Sequence, residues 1–211
     1  QIINNVLKNN IKINLNLNEV SYLLDPYNFT INIKTKNPQV LLEDKILEIN
    51  DIKTNVSLKS LINDQFSIDD LQITTKEIKL NDAIGLARLF QNSPKLFILN
   101  KIIKDGFIVA NIRLNFDETG KIKKNYQING SVKKARFNIL NRFKLQNLNF
   151  DFDISKNNYS LKQIEAEINN VEIISPQIEI KKKNNLFLVN GKVLNNDKKH
   201  NTRMLKPIIA N

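Results

Sequence analysis

Few side chains in this sequence are equipped for chemistry. The chain carries one histidine, His200, and no cysteine, which removes disulfides, thiolate metal sites and cysteine nucleophiles. His200 lies in the polar run from Asn195 to Arg203, so a histidine triad or metal cluster would rest on one group where several must converge. Two carboxylate pairs have a spacing that acid–base catalysis could use, Asp69-Asp70 and Asp151 with Asp153. The first adjoins the hinge of an internal repeat, and the second alternates out of the polar face of a strand, where charges meet solvent. Working carboxylate pairs need a shared, partly buried site. The glycines number only five and show no GxGxxG or GxxxxGK spacing, so no phosphate-cradling loop is encoded. The residues argue against an enzyme, and no catalytic, cofactor-binding or metal-ligating residue is assigned.

Charge is the other chemical signal. Lys+Arg 32 against Asp+Glu 21 gives a net +11, a balance that suits nucleic acid, anionic lipid headgroups or acidic partners. The lysines are dispersed through a chain crowded with Asn, Ile and Lys, and the aromatics, at 7%, sit mostly on apolar faces. A nucleic-acid interface needs a clustered footprint, so this reading ranks third and no nucleic-acid partner is expected. No apolar run is long enough to span a bilayer, and Gln1 to Asn10 is too polar for a signal-peptide core. The only methionine is Met204, which points to a cropped or processed chain whose membrane anchor lies outside it.

The elements that would position these residues are mainly strands. Ile11, Ile13, Leu15 and Leu17 alternate with polar residues, as do Phe29, Ile31 and Ile33; this is the period of a half-buried strand. Asp25-Pro26 and Asn37-Pro38 punctuate them. Ile46 to Leu58 reads as a strand with a break near Asn50-Asp51, Leu58 to Ile62 as one helical turn, and strands resume from Phe66 to Leu80. The period then changes. Ala83, Ile84, Leu86, Ala87, Leu89 and Phe90 fit a helix capped by Asn81 or Asp82. Ser93-Pro94 opens a second helix whose stripe of Leu96, Leu99, Ile102 and Ile103 stops at Asp105-Gly106. This helical insert, 82–105, is expected to close an end or edge of the sheet. From Phe107 strands return: Ile108, Ala110, Ile112, Leu114 and Phe116 share a face, and Leu148, Phe150, Phe152 and Ile154 share another. Turns are expected at Thr119-Gly120, Asn157-Asn158, Asn169-Asn170 and Lys181 to Asn185, a last pairing around Leu186, Leu188 and Val193, and a polar tail over 195–211.

The chain also repeats itself. Ile49, Asp51, Ile52, Val56 and Leu58 match Leu145, Asn147, Leu148, Phe152 and Ile154; after a three-residue length difference, Phe66, Ile68, Leu71, Ile78 and Leu80 match Tyr159, Leu161, Ile164, Val171 and Ile173. The repeat units are 47–80 and 143–174, each a supersecondary unit that must pair with neighbours to bury its apolar face. The fold class that follows is mainly β with a small helical insert: a single elongated domain, 1–211, built as a long antiparallel, curved meander sheet with two short helices at about 82–104. A barrel, a sandwich and a curved sheet with a usable apolar face all satisfy the pattern.

The stretches Leu145-Gln146-Asn147-Leu148-Asn149-Phe150-Asp151-Phe152, Tyr159-Ser160-Leu161-Lys162-Gln163-Ile164, Ile173-Ile174-Ser175-Pro176-Gln177-Ile178 and Phe187-Leu188-Val189-Asn190-Gly191-Lys192-Val193 resemble the AsmA-like family of bacterial envelope proteins, related in architecture to bridge-like lipid-transfer proteins. The resemblance covers about two thirds of the chain, from Leu47 to Val193, and rests on alternation with a few Gly, Ser and Pro positions. It implies an elongated apolar groove and a non-enzymatic part in phospholipid transport between inner and outer membranes, or in outer-membrane maintenance. It further implies a periplasmic location, inner-membrane anchoring of the full-length protein, phospholipid or another acyl lipid as partner, and envelope proteins as further partners. The lipid-groove candidates are then Ile108, Ile112, Leu114, Phe116, Leu148, Phe150, Phe152 and Ile154. The alternative is a structural or adhesion-like β-protein with a closed core, in which the same residues only pack.

Overall fold

A computed structural model describes residues 13–42, 45–63, 65, 67–90, 93–139, 143–183 and 186–195. Mainly β, with 68% strand, the chain forms one open, curved antiparallel sheet of 14 strands with three short helices. The strands are β1 (Ile13–Asn16), β2 (Glu19–Asp25), β3 (Thr30–Lys36), β4 (Gln39–Leu42), β5 (Lys45–Ser57), β6 (Ile68–Thr75), β7 (Ile78–Lys79), β8 (Ile103–Asn115), β9 (Gln127–Ile139), β10 (Phe143–Ser155), β11 (Asn158–Ile168), β12 (Val171–Lys183), β13 (Leu186–Gly191) and β14 (Leu194–Asn195). The helices are α1 (Leu58–Ile62), α2 (Leu80–Phe90) and α3 (Pro94–Ile102). Short strands lie end to end. β3 and β4 together pair with β5, as β6 and β7 together pair with β8, so the sheet is a meander of long antiparallel ribbons.

A crease crosses these ribbons. Asn37, Gly106, Lys134, Asn147 and Gln163 take positive φ, and register shifts fall at Ile49/Asp51, Asp105/Phe107 and Leu145/Leu148. Neighbouring irregularities abut: the Asn37 amide donates to the Asn50 carbonyl at 2.9 Å, and the Lys134 amide donates to Asn149 Oδ1 at 2.9 Å. Pro176, which has no amide proton to offer, falls opposite Gln163 between the pairs Lys162↔Gln177 and Ile164↔Ser175. Each bulge bends its strand and inserts one residue. The inner-face residues accordingly step by three once per ribbon: Ile49 to Ile52, Ile103 to Gly106, Val132 to Ala135, Leu145 to Leu148 and Leu161 to Ile164. Sequence and bulge together keep one face apolar on both sides of the crease. Gly106 is required there, because at φ +133° a Cβ would meet Ala135 Cα at 2.8 Å.

The two repeat units fold alike, as the hairpins β5–β6 and β10–β11. Val56 and its counterpart Phe152 are both buried, as are Ile78 and Val171. Their length difference falls at the hairpin connection, where the first copy inserts α1 between its strands and the second turns tightly. Leu80 and Ile173 are also both buried, although one opens a helix and the other lies in a strand.

Several boundaries differ from expectation. β2 was not foreseen as a strand. The first insert helix starts at Leu80, whose side chain is buried, and Asp82 falls in its first turn, where its charge complements the positive helix end. The second starts where Ser93 Oγ accepts from the Lys95 amide, but it ends at Ile102 instead of at Asp105-Gly106, which form a bulge inside β8. Lys181 to Lys183 continue β12, because their backbones pair with Leu188, Phe187 and Leu186. Val193 lies outside the strands, and Leu194–Asn195 pairs with Ile173–Ile174 instead. Ile11, Phe66, His200, Met204 and the 196–211 part of the tail lie outside the described residues.

Candidate functional site

Cross-strand register joins the apolar face into one line. Val20 pairs with Thr35, Thr35 with Ile52, Ile52 with Ile73 and Ile73 with Ile112. Ile112 pairs with Ile128, Ile128 with Ile154, Ile154 with Tyr159, Tyr159 with Ile180 and Ile180 with Val189. This row runs from one edge strand to the other, and at about 4.8 Å per strand step it spans roughly 43 Å along the sheet. Thr35 is its polar interruption, and the β5 backbone satisfies it: Thr35 Oγ1 accepts from the Ile52 amide at 3.3 Å. A flanking row on the same face, Ala110–Gly130–Phe152–Leu161–Ile178, depends on Gly130. A Cβ there would strike the Val109 carbonyl oxygen and the Phe152 ring.

The helices α2 and α3 lie over the middle of this face and not along an edge. Leu80 and Ile84 of α2 form one buried cluster with Ile103, Ala110, Val132, Ala135 and Phe152, against which Leu96 and Leu99 of α3 also pack. The sheet curls toward them: Lys95 at the start of α3 places Nζ 5.7 Å from the ring centre of Phe187 on β13. At both ends side chains of the apolar face are exposed. Tyr22, two residues from Val20 and on the same face, is 79% exposed, and Phe187, two residues from Val189, is 51% exposed.

All eight groove candidates lie on this inner face or its continuation. Ile108, Ile112, Leu148, Phe150, Phe152 and Ile154 pack into the helix-covered cluster, with Phe152 only 7% exposed. The rings of Phe150 and Phe152 stand 6.2 Å apart, tilted. Leu114 pairs with Leu71 beyond that cluster, and Phe116 bridges to Ile122 past the end of β8. The uncovered ends, Val20, Tyr22 and Leu24 on β2 with Phe187 and Val189 on β13, were not among the candidates. The signal for β2 was present in the alternation Val20, Tyr22, Leu24, obscured by Leu23 between them. In β13 the unbroken run Leu186-Phe187-Leu188-Val189 has no alternation to mark a face.

The opposite face is a ladder of polar pairs. Asn55 Nδ2 donates to Asp70 Oδ1 at 2.6 Å, and Gln72 Nε2 donates to Asn111 Oδ1 at 3.3 Å. Asp151 and Asp153 stand on this solvent-facing side opposite Ser131 and Asn129. Neither carboxylate pair faces the apolar rows. Among the described residues no group of three or more His, Asp or Glu side chains could hold a metal, and no helix is long and apolar enough to cross a membrane. Comparison with protein-family models, characterised proteins and solved structures finds no match.

Proposed function

We propose that the chain handles acyl lipid on the inner face of its open sheet, as a non-enzymatic AsmA-like envelope protein serving phospholipid transport between inner and outer membranes or outer-membrane maintenance. The observation that carries this reading is the row from Val20 to Val189, apolar but for Thr35, joined through the pairing of ten strands and exposed at both edges. An acyl chain laid along such a row gains about 0.8 kcal/mol per buried CH₂ while its headgroup stays hydrated. No covalent step is needed, so the reading asks nothing of His200 or the carboxylates. The helical pair divides the face into a covered centre and two open flanks, and the flanks are where lipid enters. In the cell this role calls for a periplasmic location, an inner-membrane anchor outside this chain, and envelope proteins as partners.

Native mass spectrometry of the purified chain, with and without added phospholipid, tests the reading. Adducts of phospholipid mass that survive gentle desolvation are expected. A chain that stays bare under both conditions contradicts it.

A further inference from the structure

One end of the sheet carries exposed apolar side chains together with lysines. Antiparallel register sets the β2–β3 turn, α1, the β8–β9 connection and the end of β12 along the same end of the sheet, because each lies where a ribbon reverses there. α1 touches the first turn directly: the Leu58 amide donates to the Phe29 carbonyl at 3.0 Å. Large apolar side chains point outward from this pair of segments. Tyr27 is 98% exposed and Ile62 is 73% exposed, with Phe29 and Leu61 beside them. None belongs to either buried cluster, and single scattered apolar side chains are ordinary where a cluster on one tip is not.

Cations line the same end of the sheet, all but Lys59 further along from these side chains. Lys59 stands on α1, Lys121, Lys123 and Lys124 in the β8–β9 connection, and Lys182 and Lys183 at the end of β12, all exposed. Two of the carboxylates at this end are engaged in shaping their own turns. Asp25 Oδ1 accepts from the amides of Tyr27 and Asn28, each at 3.1 Å. Asp117 Oδ1 accepts from the amides of Thr119 and Lys121 at 2.9 and 3.0 Å. With Asp69, Asp70 and Glu118 also at this end, the six lysines named outnumber the acids by one, and Asp25 and Asp117 hold their turns in place.

We propose that this strand end docks on an anionic lipid surface, with Tyr27, Phe29, Leu61 and Ile62 entering the headgroup boundary and the lysines facing the charged headgroups. Apolar insertion combined with basic charge is what such a surface selects. A nucleic acid would use the lysines and leave the aliphatic tip in water. Docking stands independently of acyl binding on the inner row, which requires only that the apolar face be accessible.

Flotation of the full chain with vesicles tests this. Binding is expected to phosphatidylcholine vesicles containing about one third phosphatidylglycerol, and not to pure phosphatidylcholine, since each lysine at the surface contributes about 1 kcal/mol only against anionic lipid. The triple variant Lys121→Ala, Lys123→Ala, Lys124→Ala should partition about a hundredfold more weakly, and Tyr27→Ser with Ile62→Ser should also release the chain. Both variants should remain folded, their positions being exposed, and thermal melting followed by circular dichroism checks this. Equal binding to both vesicle types, unchanged partitioning of the triple variant, or release of the bound chain by a DNA duplex at matched charge overturns the proposal. The native mass spectrum reads lipid adducts without vesicles, so docking and acyl binding fail separately.

Discussion

Phe152 is where the inner face is tightest. Its ring crosses the backbone of Gly130 and lies in the cluster shared with Leu80, Ile84 and Ala110. Truncation to alanine removes a buried aromatic and leaves a cavity, so Phe152→Ala should cost about 3–5 kcal/mol, measured by denaturant unfolding; a change within error would mean that the helical pair does not rest on it. Gly106→Ala places a Cβ against Ala135 in a backbone region that L-residues avoid, and should cost about 2 kcal/mol, read from the shift in thermal midpoint. Acid sensitivity follows from Asp25, Asp105 and Asp117. Hydrogen bonds from Asn28 lower the pKa of Asp25 and those from Thr119 and Lys121 lower that of Asp117, while for Asp105 the Gly106 amide acts first and Arg136 next, 2.8 Å away. A depressed folded pKa contributes stability above the unfolded value of 3.8 that is lost as pH falls through the folded values. The melting temperature should therefore drop as pH falls below that value, and a flat profile there would contradict these contacts.

Within the helical pair α3 is the less secured member. α3 has no buried residue; it is held by the partial packing of Leu96 and Leu99 against the cluster and by Arg88 of α2, whose Cζ stands 5.6 Å from the centre of the Phe97 ring. Amide hydrogen exchange should show 94–102 opening before 103–115 and 127–139; equal protection would mean that α3 belongs to the cooperative core. Individual strands were legible in the sequence because period-two alternation follows from a sheet with one wet face. Turns were legible where Asp25-Pro26 and Asn169-Asn170 encode them. The crease was only half legible. The three-residue steps at Leu145–Leu148 and Leu161–Ile164 are visible in the repeat, but the left-handed residues that create them include Lys134 and Gln163, which carry no glycine signal. Which side the helices would cover depends on pairing between distant strands, and local periodicity says nothing of that.

At the scale of the whole molecule, curvature and openness decide what the apolar face can do. Among the described residues no strand pairs with the outer side of β2 or β13, and β13 exposes Leu186 and Leu188 on one face with Phe187 and Val189 on the other. Such edges invite strand pairing, so light scattering at high protein concentration should fall for Leu188→Lys; equal scattering would show that β13 is not the sticky edge. The groove candidates chosen from alternation sit on the inner, apolar face but mostly beneath the helical pair, since the sequence marks apolarity and not cover. The open flanks carry the lipid account, and a photoactivatable phospholipid, crosslinked to the chain and mapped by peptide mass spectrometry, tests it most directly. The account predicts crosslinks at Val20, Tyr22, Phe187 and Val189. Crosslinks confined to the outward-facing Ser21, Leu23 and Leu188, or none at all, would contradict it.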